Sequence, residues 1–360
     1  MTKEIATPDQ DIPWSSVPVG QRLAHLKGMV VDRDIERQIH DVFDVVREAR
    51  MAANEPANVV VIGETGVGKS DILKRYLAKN PSYRLPDKRL KRPVFLIEIR
   101  NQSTPRSVAR QMLRQLGLTE RRFLVGAIPD LTALVKHQLI IQQVELCILD
   151  EFNNTLSDDG RVRSSRVAEW VKDLCKSKTR TDEEPDGLPG EIIPFAMVGT
   201  AKTGRIVDPI ENEELASLTP YRFQVERYPY DTEDQVSEFR RFLDDLDQEL
   251  PFDEFSHLGA ADDQGRYDLA DKIHVATYGL LRQVGYLVRE AARLAIVGGD
   301  DRIREHHLHR SVENQRGLLQ SNLLSEDGKA EKRSVTNPFK APLAPSRPER
   351  GSKRGFQKAA

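Results

Sequence analysis

Gly63-Glu64-Thr65-Gly66-Val67-Gly68-Lys69-Ser70 decides the fold. It fits the pattern G-x-x-x-x-G-K-[ST] in full. It follows the β-branched run Asn58-Val59-Val60-Val61-Ile62 and precedes Asp71-Ile72-Leu73-Lys74-Arg75-Tyr76-Leu77. Strand, glycine loop and helix form the context in which backbone N–H groups turn inward to hold phosphate. The positive end of the helix dipole adds to that attraction. Lys69 is expected to reach the β- and γ-phosphates of a nucleotide, and Ser70 to hold magnesium.

Outward from this loop, strands alternate with helices. Apolar residues from Ile35 to Val46 recur at helical spacing, so a helix is expected over 32–51. Further strands are expected over 94–99, 144–149 and 192–198, the last starting near Phe195 because of Pro194. Helices are expected over 105–116 and 130–142 and around Val167 to Leu174, and a final core strand at Phe223-Gln224-Val225. This is an α/β fold with a parallel sheet between helices. After Tyr228 the pattern turns wholly helical. The expected division is an N-terminal arm (1–24), a nucleotide-binding core (25–228), a helical lid (229–322) and a basic, proline-rich tail (323–360) with too few large apolar residues to fold alone. An acidic loop is expected at 177–190.

Asp150-Glu151 closes the third strand. Two carboxylates there suit a Walker B pair, with Asp150 on magnesium and Glu151 orienting the attacking water. Thr200, after the fourth strand, can position water or contact the γ-phosphate, or serve only as a turn residue. Arg282, in Gly279-Leu280-Leu281-Arg282 at a helix start, can reach back over the phosphates. Arg222, just before the last strand, can enter a neighbouring copy's site as an arginine finger; Arg205 and Arg227 are rivals. Arg106, Arg110 and Arg114, spaced four apart, form a basic stripe near Arg121 and Arg122. His306, His307 and His309 lie together, but no cysteine or acidic cluster is seen to complete a metal site.

Composition limits the alternatives. With 360 residues, 39% hydrophobic, 31% charged and a net charge of −2, any nucleic-acid contact must come from a local patch. Two cysteines, Cys147 and Cys175, indicate no disulfide framework, and a cytoplasmic location is expected. The first 20 residues do not read as a signal peptide. No apolar run approaches a membrane span.

Together, Walker A at 63–70, Walker B at 146–151, Thr200, the arginine before the last strand and G-x-x-R at 279–282 resemble an AAA+ ATPase over about residues 25–310. Leu149-Asp150-Glu151-Phe152-Asn153, Phe195 to Ala201, and Gly279-Leu280-Leu281-Arg282 running into Val288-Arg289-Glu290-Ala291-Ala292 resemble the TniB/TnsC family of transposition regulators. Two features depart from that family: no paired basic pattern precedes Arg222, and the acidic loop is long. The resemblance implies ATP and Mg2+ as cofactors and a homo-oligomer, ring or helical filament, on duplex DNA. It also implies a transposase and a target-selection protein of TniQ/TnsD type as partners. In that family the region of Arg106, Arg110, Arg114, Arg121 and Arg122 faces DNA, where arginines would contact phosphates; a solvated helix face is the plainer alternative. A replication loader, an IstB-like ATPase or a protein remodeller is the other reading of the same core. The tail, with Asn337-Pro338-Phe339, suits a linear motif that docks on a protein partner.

Overall fold

The computed structural model describes residues 12–50, 55–101, 103–155, 166–175, 192–261, 267–319, 322–324, 330–332 and 337–339. The acidic loop expected at 177–190 and most of the tail lie outside the described residues.

The elements in chain order are α1 (Val19–Gly28), α2 (Asp34–Ala49), β1 (Val59–Ile62), α3 (Lys69–Lys79), β2 (Tyr83–Arg84), β3 (Leu90–Lys91), β4 (Val94–Glu98), α4 (Pro105–Gln115), α5 (Ile128–Ile141), β5 (Leu146–Asp150), α6 (Arg166–Cys175), β6 (Phe195–Gly199), α7 (Ala201–Ile206), α8 (Pro209–Ser217) and β7 (Tyr221–Gln224). Next come α9 (Glu233–Gln248), α10 (Asp268–Thr277), α11 (Leu281–Gly298), α12 (Glu305–Leu319), β8 (Asn322–Leu324) and β9 (Ala330–Lys332). Five strands make one sheet in the order β4-β5-β6-β1-β7, every pair parallel.

Alternation along each strand divides the core in two. Val60, Phe95 and Ile97 face α4, α5 and α6, whereas Val59, Val61 and Val94 face α2 and α3. Thr104 caps α4 with Ser107 in a reciprocal capping box, and Pro105 opens its first turn, which is why that helix starts where the sequence predicts.

Helices α9 to α12 share a third apolar cluster. Two segments expected elsewhere join it. Leu26 and Met29 at the end of α1 pack there, and the Arg22 guanidinium donates to the Pro251 carbonyl at 3.0 and 2.7 Å. So α1 crosses the expected 24/25 boundary and packs with the lid. Asn337-Pro338-Phe339, expected to seek a foreign partner, is seated on this chain's own lid, with Phe339 buried in the cluster. Arg222 also shifts: β7 starts at Tyr221, so Arg222 lies within the edge strand, in register with Val60, and not before it. No helix among the described residues is long and apolar enough to cross a membrane.

Candidate nucleotide site

β1 ends at Ile62 and the chain loops to α3, which begins at Lys69. Gly66 and Gly68 both have φ of 95°, a left-handed conformation that side chains resist. A Cβ at Gly63 would overlap the Val225 carbonyl oxygen, so the loop can lie against the chain leaving β7 only as glycine. The Lys69 ammonium donates to the carbonyls of Gly63 (2.7 Å) and Glu64 (2.9 Å). Burial lowers its pKa; Glu151 and Asp150 work in the opposite direction, and the Arg282 cation adds to the lowering.

The parallel pairing of β5 beside β6 and β4 brings Asp150 to the carboxyl edge of the sheet, opposite the start of α3. Ser70 Oγ donates to Asp150 Oδ2 at 3.1 Å, and the Glu151 N–H donates to Asp150 Oδ1 at 2.9 Å. Burial raises the Asp150 carboxyl above the usual aspartate range, and those two hydrogen bonds offset part of the rise. A hydroxyl and a buried carboxylate side by side are hard oxygen donors that fit magnesium. Glu151 holds a left-handed φ of 54° and lines the same cleft as Lys69, Ser70 and Arg282, a cleft of about 460 Å³. Strained backbone of this kind clusters at functional sites.

Thr200 caps α7, and its N–H donates to Asn153 Oδ1 at 3.0 Å. Asn153 Nδ2 in turn donates to Glu151 Oε2 at 3.3 Å. Thr200 therefore meets Glu151 through Asn153, a residue to which the sequence assigned no role. The Arg282 N–H, on the lid, donates to the Gly66 carbonyl at 2.9 Å, and its exposed side chain lines the cleft.

Two further arginines were missed. Arg33, only 7% exposed, donates to the Val67 carbonyl at 3.0 Å from behind the loop, and burial lowers its pKa. In sequence it stands between Asp32 and Asp34 and looks like any charged helix start. Arg289 lies two turns beyond Arg282 on α11 and lines the same cleft, a spacing that was readable. Met29, Val30 and Val31 add an apolar wall.

The remaining candidates lie apart from this cleft. Arg222 Nη2 donates to the Val207 carbonyl at 2.5 Å on the outer edge of the sheet. Arg227 pairs with Glu64 of its own loop at 3.5 Å, and Arg205 is exposed at the end of α7. On α4, Arg106 and Arg114 are exposed, as is Arg121 beyond it. Arg110 departs from the expected open stripe: it is half-buried, and its Nε donates to the Leu124 carbonyl at 2.7 Å, bracing the turn Arg121–Leu124. Arg122 pairs with Glu120 at 2.8 Å.

Asp300 comes close to His306 and His307, a carboxylate the sequence reading had not placed there. Hydrogen bonds already engage Asp300 and His307. His307 Nδ1 accepts from the Arg304 N–H at 3.0 Å, which leaves the proton on Nε2, facing Asp300 at 3.2 Å. Cys147 and Cys175 are both buried and free.

Residues 53–200 match the family of AAA domains. The fold as a whole is the AAA+ P-loop fold, with the helical lid following the core. Among solved structures, the chain is similar to Cdc6p from Pyrobaculum aerophilum, at 16% identity and a TM-score of 0.52 over 81% of this chain and 70% of that one. It is similar also to the Aeropyrum pernix ORC2 protein in ADPNP–ADP complexes, at 17% identity and a TM-score of 0.51 over 78% of this chain and 68% of that one. No curated protein sequence matches it. Lys69, Ser70, Asp150 and Glu151 all lie within the matched residues 53–200.

Proposed function

We propose that this chain is a magnesium-dependent ATPase that oligomerises on duplex DNA and regulates transposition in the manner of the TniB/TnsC family. The observation that carries the ATPase reading is the convergence of Lys69, Ser70, Glu151 and Arg282 on one cleft, with Asp150 bonded to Ser70. The loop N–H groups, Lys69 and Arg282 bind phosphates. Ser70 and Asp150 would hold the metal, which would supply positive charge against the phosphates. Glu151, steadied by Asn153, orients the water and accepts its proton. In the oligomer Arg222, exposed on the edge strand β7, would release the Val207 carbonyl and enter the cleft of a neighbouring copy as an arginine finger.

The DNA reading rests on Arg106, Arg114 and Arg121, three exposed arginines on α4 and the turn after it. Such contacts bind backbone phosphate without reading sequence. The ATP-bound assembly marks a target, a transposase and a selector of TniQ/TnsD type bind it, and hydrolysis resets it.

Electron microscopy of the protein with duplex DNA and a non-hydrolysable ATP analogue tests this. Rings or helical filaments with α4 facing the DNA and Arg222 at the neighbour's nucleotide are expected. Assembly indifferent to nucleotide, or DNA on another face, contradicts the reading. A transposase that binds the nucleotide-free chain as well as the assembly contradicts the regulatory step.

A further inference from the structure

The chain leaves the lid at Leu319, the end of α12, and meets it again at Asn337-Pro338-Phe339. Among the described residues of this segment, Asn337 and Phe339 make the contact. The Phe339 ring is 4% exposed, inside the apolar cluster that holds Leu308 and Val312 of α12 and Leu287 of α11. Asn337 Nδ2 donates to Glu313 Oε1 at 2.9 Å and to the His309 carbonyl at 3.1 Å. Asn337 Oδ1 accepts from the Phe339 N–H at 3.2 Å, closing a turn about Pro338. His309 Nδ1 lies 3.0 Å from the Phe339 carbonyl oxygen and donates to it in the matching tautomer.

This is the anatomy of a plug in a socket: one buried aromatic anchor, one side-chain amide used at both ends, and a backbone carbonyl held at the rim. The polar lid contacts are made by His309 and Glu313, one turn apart on α12.

We propose that this groove on the lid is a docking site for an Asn-Pro-Phe turn, that the chain's own tail plugs it in cis, and that the tail of a second copy occupies it in trans. The contacts are the same in either case. Effective concentration decides between them, at about millimolar for a short flexible tether. Among the described residues of the connection over 320–336 is the two-stranded ribbon β8–β9, paired between Asn322–Leu324 and Ala330–Lys332. An isolated ribbon of two strands is marginal in water. Opened, the connection reaches roughly 55 Å at ~3.3 Å per residue. That exceeds the ~50 Å across a domain with a radius of gyration of about 19 Å, so the plug reaches an adjoining lid. The proposal concerns the lid alone and holds whether or not the nucleotide reading does.

The test uses full-length chains and a fluorescent peptide covering residues 334–342. Phe339→Ala opens the socket, and Asn337→Ala opens it with the aromatic retained, should the first variant fold poorly. The peptide is expected to bind the opened chains in the micromolar range and the wild type about tenfold or more weakly, since the cis plug competes. The same peptide with alanine for phenylalanine is expected to bind none of them. Failure to bind either opened chain, or equal binding to opened and wild-type chains, overturns the docking site. The trans step is read by sedimentation of a mixture. Phe339→Ala chains, with an open socket, are combined with His309→Ala/Glu313→Ala chains, which keep the plug but lack its polar rim. Association in the mixture alone is expected. Peptide binding without association of the mixed chains overturns the second copy as occupant.

Discussion

Asn153 offers the sharpest separation of chemistry from stability in the site. Replacing it with alanine removes the acceptor of the Thr200 N–H at 3.0 Å and the donor to Glu151 at 3.3 Å. An N–H stripped of its partner costs about 1–3 kcal/mol when buried, and Thr200 is only half-buried, so a loss of about 1 kcal/mol is expected. In a protein of this size that is a fall in Tm of about 1–2 °C. The bond to Glu151 is long and adds little to stability, but it orients the carboxylate. A positioned general base is worth about 10²–10⁴-fold, and losing its orientation should forfeit roughly tenfold in kcat with nucleotide affinity unchanged. Asn153→Asp divides the two effects. It retains the acceptor for Thr200 and sets a negative charge against Glu151, so turnover should fall at least as far while the melting temperature stays near wild type. Steady-state ATP hydrolysis, binding of a fluorescent nucleotide and thermal melting measure the three quantities. Wild-type turnover by Asn153→Asp would refute the positioning role, and wild-type turnover by a destabilised Asn153→Ala would reduce Asn153 to a structural bond.

Arg282→Ala should weaken nucleotide binding or turnover by about tenfold and leave the melting temperature unchanged, because only its backbone N–H holds the P-loop; equilibrium binding and melting curves decide this. Metal-dependent nucleotide binding should fail on acidification at a pH above the ordinary aspartate value of about 4. The sign follows from burial: the folded pKa of Asp150 is raised, so its ionised, metal-binding form is lost sooner as pH falls. Asp150→Asn should abolish that metal dependence, which calorimetric titration across pH can follow. Replacing both Arg106 and Arg114 with alanine should weaken DNA binding equally across sequences and lower the salt slope by about 2, at roughly one unit per lost phosphate contact; anisotropy titrations over a salt series test this.

What was legible in the sequence was local. The loop at 63–70 announces itself because phosphate binding needs glycines and a lysine at fixed spacing along one stretch of chain. The strand start at Phe195 followed from Pro194, and the start of α4 from Pro105. What was not legible depends on distant partners. Arg33 becomes part of the P-loop only because α2 packs on α3, and Asn153 matters only because β6 lies beside β5. Nothing in the run of arginines on α4 reveals that Arg110 spends its Nε on the Leu124 carbonyl. The tail motif was legible as a motif, but its seat was not, since the apolar cluster that takes in Phe339 is assembled from several helices distant in sequence.

The central claim is that Glu151 drives hydrolysis of ATP held by Lys69 and Ser70. Steady-state phosphate release by wild type and Glu151→Gln, with ATP binding measured in parallel and duplex DNA present and absent, tests it most directly. The account predicts near-normal ATP binding by Glu151→Gln with turnover reduced at least about 100-fold, the lower bound for a lost general base. Hydrolysis by Glu151→Gln at the wild-type rate would contradict it.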